Sequence, residues 1–173
     1  SYAVSADQKF AHEPFVYIDD DIRISRRLRI NPGLHIATYL IGNEGYLTIQ
    51  PRFSARFKFN SKNSLKFSYG RMAQFIHLLT NPGIGIPVDL WVPSTETVKP
   101  AFAHQFSLGY YRSIGRGINL RAELFYKRMY NLLEYAEGYN YISNSPDWES
   151  EVESGKGWSY GGEVMVEKTK GKL

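Results

Sequence analysis

Thirteen consecutive residues, LTIQPRFSARFKF, alternate without a break: Leu47, Ile49, Pro51, Phe53, Ala55, Phe57 and Phe59 on one parity, Thr48, Gln50, Arg52, Ser54, Arg56 and Lys58 on the other. Successive side chains of a strand point to opposite faces, so this period of two predicts a strand with one apolar and one polar face. At ~3.3 Å per residue it would be roughly 40 Å long, against about 5–6 residues for a usual strand. Few soluble sheets need such a strand.

The pattern recurs. LRINPGLHIATYL sets Leu28, Ile30, Leu34, Ile36 and Leu40 against Arg29, Asn31, His35 and Tyr39, and INLRAELFYKR sets Ile118, Leu120, Ala122, Leu124 and Tyr126 against Asn119, Arg121, Glu123 and Lys127. WSYGGEVMVEK opposes Tyr160, Val164 and Val166 to Ser159, Glu163 and Glu167. Three further segments fit less cleanly: SLKFSYGRMAQF and AFAHQFSLGYYRSI carry Arg71, His104 and Arg112 on the otherwise apolar parity, and FVYIDDDIRIS carries Asp20 there. About seven long strands follow. Tight turns of small and polar residues are expected near 25–27, 60–64, 115–117 and 169–172, and longer loops near 41–46, 76–100 and 129–157. The tight turns all fall at one end of the sheet and the longer loops at the other. Pro32 and Pro51 lie inside strands, where each removes a ladder donor, so a bulge or a gap is expected at both.

Charge follows the same axis. Of 21 basic residues, eleven lie in or beside the tight turns (Arg26, Arg27, Arg29, Lys58, Lys62, Lys66, Arg112, Arg116, Lys168, Lys170 and Lys172). The acids Glu44, Asp89, Glu96, Glu134, Glu137, Asp147, Glu149, Glu151 and Glu153 sit in the longer loops. The net charge of +4 is therefore the sum of a basic turn end, suited to anionic lipid headgroups, and an acidic loop end. No groove-reading helix or base-stacking platform accompanies the basic residues, so no nucleic-acid partner is expected.

The absence of cysteine excludes a disulfide scaffold or a Cys-ligated metal site, and no apolar stretch approaches the ~18 residues of a membrane-spanning helix. His12, His35, His77 and His104 lack metal-site spacing, and Asp19 and Asp21 point away from Asp20 on a strand, which suits pairing with Arg or Lys better than a shared ion. The acids of DWESEVESGKGW read as a solvated loop or a short surface helix. Neither a nucleophile elbow, a phosphate loop nor a paired-carboxylate motif occurs, so no catalytic residue, cofactor or metal is assigned and no enzyme is expected.

Long antiparallel strands with one apolar face, tight turns at one end and long loops at the other, describe an outer-membrane barrel with lipid outside and a polar lumen inside. Hydrocarbon offers the backbone no hydrogen-bond partner, so such a sheet must close. Tyr39, Tyr46, Phe75, Tyr110, Tyr111, Tyr126, Trp158 and Tyr160 are candidates for interfacial girdles. A soluble antiparallel β-protein alternates its faces too, and an adhesin or a passive porin remains an alternative within the membrane class. Strand length and loop asymmetry favour the all-β, antiparallel meander as part of a transmembrane barrel.

Several strings, "YIDDDIRISRRLRINPGLHI", "LTIQPRFSARFKF", "IHLLTNPGIGIPVDLWVPSTETVKP", "LRAELFYKRMYNLLEY" and "GKGWSYGGEVMVEKTKGKL", together resemble the barrel of TonB-dependent outer-membrane receptors. The resemblance is nearest to the branch with an N-terminal carboxypeptidase-regulatory-like domain, and spans about Phe15 to Leu173. It implies a 22-stranded barrel around a plug, importing a scarce or large nutrient across the bacterial outer membrane with energy from the TonB complex. Seven strands would be about a third of that barrel, so residues 1–173 read as a partial barrel, with plug, energy-coupling segment and closing strand expected elsewhere. The remaining barrel, the plug, the TonB complex, the bilayer and an unidentified extracellular nutrient are the implied partners. The loops would then be extracellular, with Asn43, Glu44, Asp89, Trp91, Asp147 and Trp148 as substrate-loop candidates. Asn81-Pro82-Gly83 and Gly85-Ile86-Pro87 should stiffen the middle loop, and Trp91 is either a stacking platform or rim packing. Arg29, Arg52, Arg56, Arg121, Glu123, Lys127 and Glu163 are expected to face the lumen.

Overall fold

The structure is a computed structural model that describes residues 10–80, 90–115, 117–136 and 148–169. Its strands are β1 (Ala11–His12), β2 (Phe15–Asp19), β3 (Ile22–Arg23), β4 (Leu28–Ile41), β5 (Glu44–Lys58), β6 (Asn63–Gln74), β7 (Ile76–Leu79), β8 (Leu90–Pro93), β9 (Ala101–Gly115), β10 (Ile118–Tyr135) and β11 (Val152–Lys168). No described residue lies in an α-helix, and a single 3₁₀ turn, Trp148–Glu151, precedes β11.

Apart from β7 and β8, which form a separate two-stranded hairpin, all strands join one antiparallel sheet in chain order: β4, β5, β6, β9, β10, β11. The short β1, β2 and β3 all pair with β4 in a single register, Ala11 with Ile41, Val16 with Ile36 and Ile22 with Ile30. They are pieces of one interrupted edge strand, so the sheet has seven strands in a meander. β10, at 18 residues, extends about 60 Å at ~3.4 Å per residue, longer than a barrel's apolar band of about 25 Å requires even when tilted.

Both internal prolines interrupt pairing without a bulge. Opposite Pro32 the edge strand breaks between Asp19 and Ile22; the Asp20 N–H still donates to the Pro32 carbonyl at 3.1 Å, and Asn31 Nδ2, 3.5 Å from the Asp20 carbonyl, stands in for the missing proline N–H. On the other side the β5–β6 ladder ends at Arg52 and Gly70, next to Pro51. Beyond it, side chains bridge the strands: Arg71 donates to the Ile49 carbonyl at 2.7 Å, and Gln50 Oε1 accepts the Ala73 N–H at 3.3 Å.

Three connections differ from the expected spans. The loop placed at 41–46 narrows to Gly42-Asn43, because Tyr39 pairs with Tyr46 and Ile41 with Glu44, and Gly42 takes the positive φ of 56° that so short a turn demands. Strands β10 and β11 continue past Met129 and Gly157, pairing up to Tyr135 and Val152, so their connection begins at Ala136 and ends in the 3₁₀ turn. The span 76–100 contains the β7–β8 hairpin. Asn81, Pro82, Gly83, Gly85, Ile86, Pro87, Asp89, Arg116, Glu137, Asp147, Lys170 and Lys172 lie outside the described residues.

The sheet has its burial reversed relative to a water-soluble fold. On β5 the polar Thr48 and Gln50 are each 9% exposed, whereas Leu47 is 67% exposed, and Val164 and Val166 on β11 are 71% and 68% exposed. Register carries this face across the sheet: Ile30, Ala55, Phe67, Leu108 and Leu124 are directly opposed from strand to strand, as are Leu28, Phe57, Leu65, Tyr110, Ala122 and Val164. The small core lies on the polar side at the loop end, where Ala37, Tyr39, Ile41 and Phe75 pack together.

Candidate functional site

The polar face is built by alternation. Arg29 stands opposite Arg56 and Arg56 opposite Lys66, while Arg121 stands opposite Tyr111 and Glu123 opposite Glu163. Lys127 faces Gln105, and Arg52 lies between Gly33 and Gly70. All seven residues assigned to the lumen therefore share one face. A Cβ on Gly33 would sit 2.6 Å from Arg52 Cγ, so the long Arg52 side chain crosses β4 only because position 33 has no side chain.

Charges on this face meet in loose pairs. Arg29 Nη1 lies 3.1 Å from Asp21 Oδ2, Arg121 Nη2 lies 3.9 Å from Glu167 Oε2, and the Tyr111 hydroxyl donates to Glu123 at 2.6 Å. Exposed pairs of this kind contribute about 0–1 kcal/mol, so they orient side chains more than they hold the sheet. Toward the turns, Arg56, Lys58, Lys62, Tyr111 and Arg121 line a basic depression of about 280 Å³.

The opposite end of the sheet is closed over by its connections. Past Gln74 the chain turns inward, and Phe75 stacks on Tyr39 with centroids 4.8 Å apart and planes 4° from parallel. Ser94, at the exit of the hairpin, donates its N–H to the Phe75 carbonyl at 2.7 Å and its hydroxyl meets His77 Nε2 at 3.1 Å. His77 is 4% exposed, and burial pushes its imidazole below the ordinary value. Thr95 to Val98 form a turn, with Thr95 N–H donating to the Val98 carbonyl at 2.9 Å. The Tyr46 hydroxyl donates to the Thr95 carbonyl, and the Thr97 hydroxyl donates to Glu149 in the 3₁₀ turn. On β10, Asn131 adopts φ 54° as the extra residue of a bulge between Tyr130 and Leu132, and its Nδ2 donates to the Pro100 carbonyl at 2.9 Å.

These ties bring three connections together around a pocket of about 470 Å³ lined by Ile41, Glu44, Thr95, Glu96, Thr97 and Glu149, with Phe10 at its edge. Of the substrate-loop candidates, Glu44 lines the pocket, Asn43 is exposed in the adjoining turn and Trp148 opens the 3₁₀ turn beside Glu149. Trp91 stands apart, 63% exposed on β8 opposite Leu78. Glu96, Thr97 and Glu149 were not among the candidates: nothing in their spacing signals that residues 52 positions apart meet. Among the described residues no cluster of three metal-ligating side chains occurs.

A continuous antiparallel meander with an exposed apolar face, a polar inner face and loops gathered at one end defines a section of a transmembrane β-barrel. The match to known families agrees. The TonB dependent receptor-like, beta-barrel family model covers residues 2–167, and the chain belongs to that family as a segment of a receptor or transporter barrel. No curated protein and no solved structure matches the chain.

Proposed function

We propose that the complete protein imports a scarce or large nutrient across the bacterial outer membrane, and that this chain supplies barrel wall together with part of the mouth that captures the nutrient. The observation that carries this reading is the pocket at the loop end, where Glu44, Glu96 and Glu149 line one cavity with two threonines on connections tied to one another. Three carboxylates at an open mouth accept hydrogen bonds from a hydroxyl- or amine-rich ligand. The charged inner face then meets the plug, and the energy-coupling complex acts through that plug. The role is binding and passage, with no covalent step assigned to any residue here.

A strain that depends on the complete receptor for a limiting nutrient tests this. Removing the energy-coupling complex should abolish uptake, and Glu96→Gln with Glu149→Gln should raise the half-saturating nutrient concentration several-fold at unchanged receptor levels in the outer membrane. Uptake that continues at the full rate without the energy-coupling complex would identify a passive pore instead.

A further inference from the structure

Two of the residues that broke the apolar pattern in the sequence, Arg71 and His104, belong with Arg128 and a tryptophan to one structural feature. Arg71 on β6 is directly opposite His104 on β9, His104 opposite Arg128 on β10, and Arg128 opposite Trp158 on β11. The row is on the apolar, outward face, and one pleat nearer the turns lies an unbroken aromatic row of Tyr69, Phe106, Tyr126 and Tyr160. One pleat nearer the loops, Phe102 faces Tyr130, which faces Lys156. On β6, β9 and β10 cationic and imidazole side chains therefore follow directly on the aromatic row.

Their side chains are held by rings, and that of Arg71 also by the Ile49 carbonyl, to which Nη1 donates at 2.7 Å, leaving its other N–H groups for a ligand. The Arg71 guanidinium lies 5.2 Å from the Phe102 centroid, and that of Arg128 lies 5.7 Å and 5.5 Å from the centroids of Tyr130 and Trp158. Tyr69 hydroxyl and His104 Nδ1 meet at 2.9 Å, which fixes the imidazole between the two arginines. Among the described residues neither guanidinium has a carboxylate within 4.0 Å. Two arginines about 10 Å apart, two strand spacings, thus stand on the outward face with no carboxylate paired to them among the described residues.

We propose that the row Arg71–His104–Arg128 is a docking site for the phosphate-bearing headgroup of a glycolipid in the leaflet on the loop side. A cation at this depth is costly unless it reaches an anionic headgroup, and guanidinium groups match phosphate oxygens with paired N–H donors. The aromatic row below would contact the acyl region and sugar faces of the same lipid. This depends on which leaflet the loop end meets, not on which nutrient is carried.

The complete receptor, purified in neutral detergent and offered equal amounts of diphosphoryl and dephosphorylated lipid A, is read by native mass spectrometry for the lipid it retains. Wild type should prefer the diphosphoryl form by about tenfold, and Arg71→Gln with Arg128→Gln should bring the preference close to parity. Arg112→Gln, on the same face near the turns, should leave it unchanged. Heat-modifiable mobility in gels verifies that each variant is folded; should the double variant not fold, the wild-type comparison still decides. Equal retention of the two lipids by wild type overturns the proposal, as does a preference that the folded double variant keeps. Loss of the preference in millimolar inorganic phosphate would assign the site to free phosphate and overturn the lipid assignment.

Discussion

Single residues on this sheet are governed by which of two solvents they meet. Phe53 and Ser54 are neighbours on β5, yet Phe53 pairs with Pro32 and Tyr69 on the apolar face, and Ser54 donates to Asn31 Oδ1 at 3.3 Å on the polar one. Phe53→Arg should therefore destabilise the membrane-inserted barrel by about 2–4 kcal/mol, as a cation near the bilayer midplane does, whereas Ser54→Arg should cost well under half as much. Urea-dependent folding into vesicles measures both, and equal tolerance of the two would contradict the facing assignment. Asn131 is constrained differently, by a left-handed backbone and a bond to Pro100. Asn131→Ala should lose both at about 1–3 kcal/mol, and Asn131→Gly, which accepts the backbone, should lose only the bond at about 1 kcal/mol. The unfolding midpoints of the two variants should differ in that order. Facing was legible in the letters because a period of two leaves no alternative for a thirteen-residue run. The side chains that satisfy the backbone beside each proline were not, since Asn31 and Arg71 act through strand register that only pairing reveals.

At the scale of elements, the strands were legible and the rim was not. The seven-strand meander follows from alternation and turn chemistry, but the β7–β8 hairpin defeats hydropathy: its buried positions are His77 and Leu79 on one strand and Val92 on the other, while Ile76, Leu78 and Trp91 are exposed. A buried histidine reads as polar in sequence. Its packing makes the hairpin sensitive to acid, with the sign fixed by the direction of the shift. Burial lowers the folded-state pKa of His77 below its ordinary value, so the folded hairpin binds fewer protons than the unfolded one. The stabilisation is complete above about pH 6.5 and declines as pH falls below it. Hydrogen exchange at the backbone amides of β7 and β8 should accelerate, relative to the intrinsic rate, between pH 7 and pH 5 on account of this one group. His77→Gln should flatten that dependence; an unchanged acid response in the folded variant would place its origin elsewhere.

On the scale of the whole chain, the decisive property is that apolar side chains face outward along every long strand while the packed core is small and confined to the loop end. Aromatic residues serve both faces, in the outward row at Tyr69, Phe106, Tyr126 and Tyr160 and in the Tyr39–Phe75 stack on the inner side. The net charge of +4 resolves into a basic depression near the turns and an acid-lined pocket near the loops. Family membership and face alternation agree because both record one constraint, a sheet that must satisfy its backbone internally and present hydrocarbon to lipid.

That constraint can be measured directly with single introduced cysteines, since residues 1–173 contain none, in a complete receptor whose cysteines elsewhere are replaced. Spin labels placed one at a time from Leu47 to Phe57 in the complete, membrane-inserted receptor should report strict alternation. Positions 47, 49, 53, 55 and 57 should collide preferentially with lipid-soluble oxygen, and positions 48, 50, 52, 54 and 56 with a water-soluble nickel complex or with neither where the inner face is packed. Uniform access of the water-soluble reagent to both sets, or a pattern without a period of two, would contradict the assignment of this sheet to a membrane.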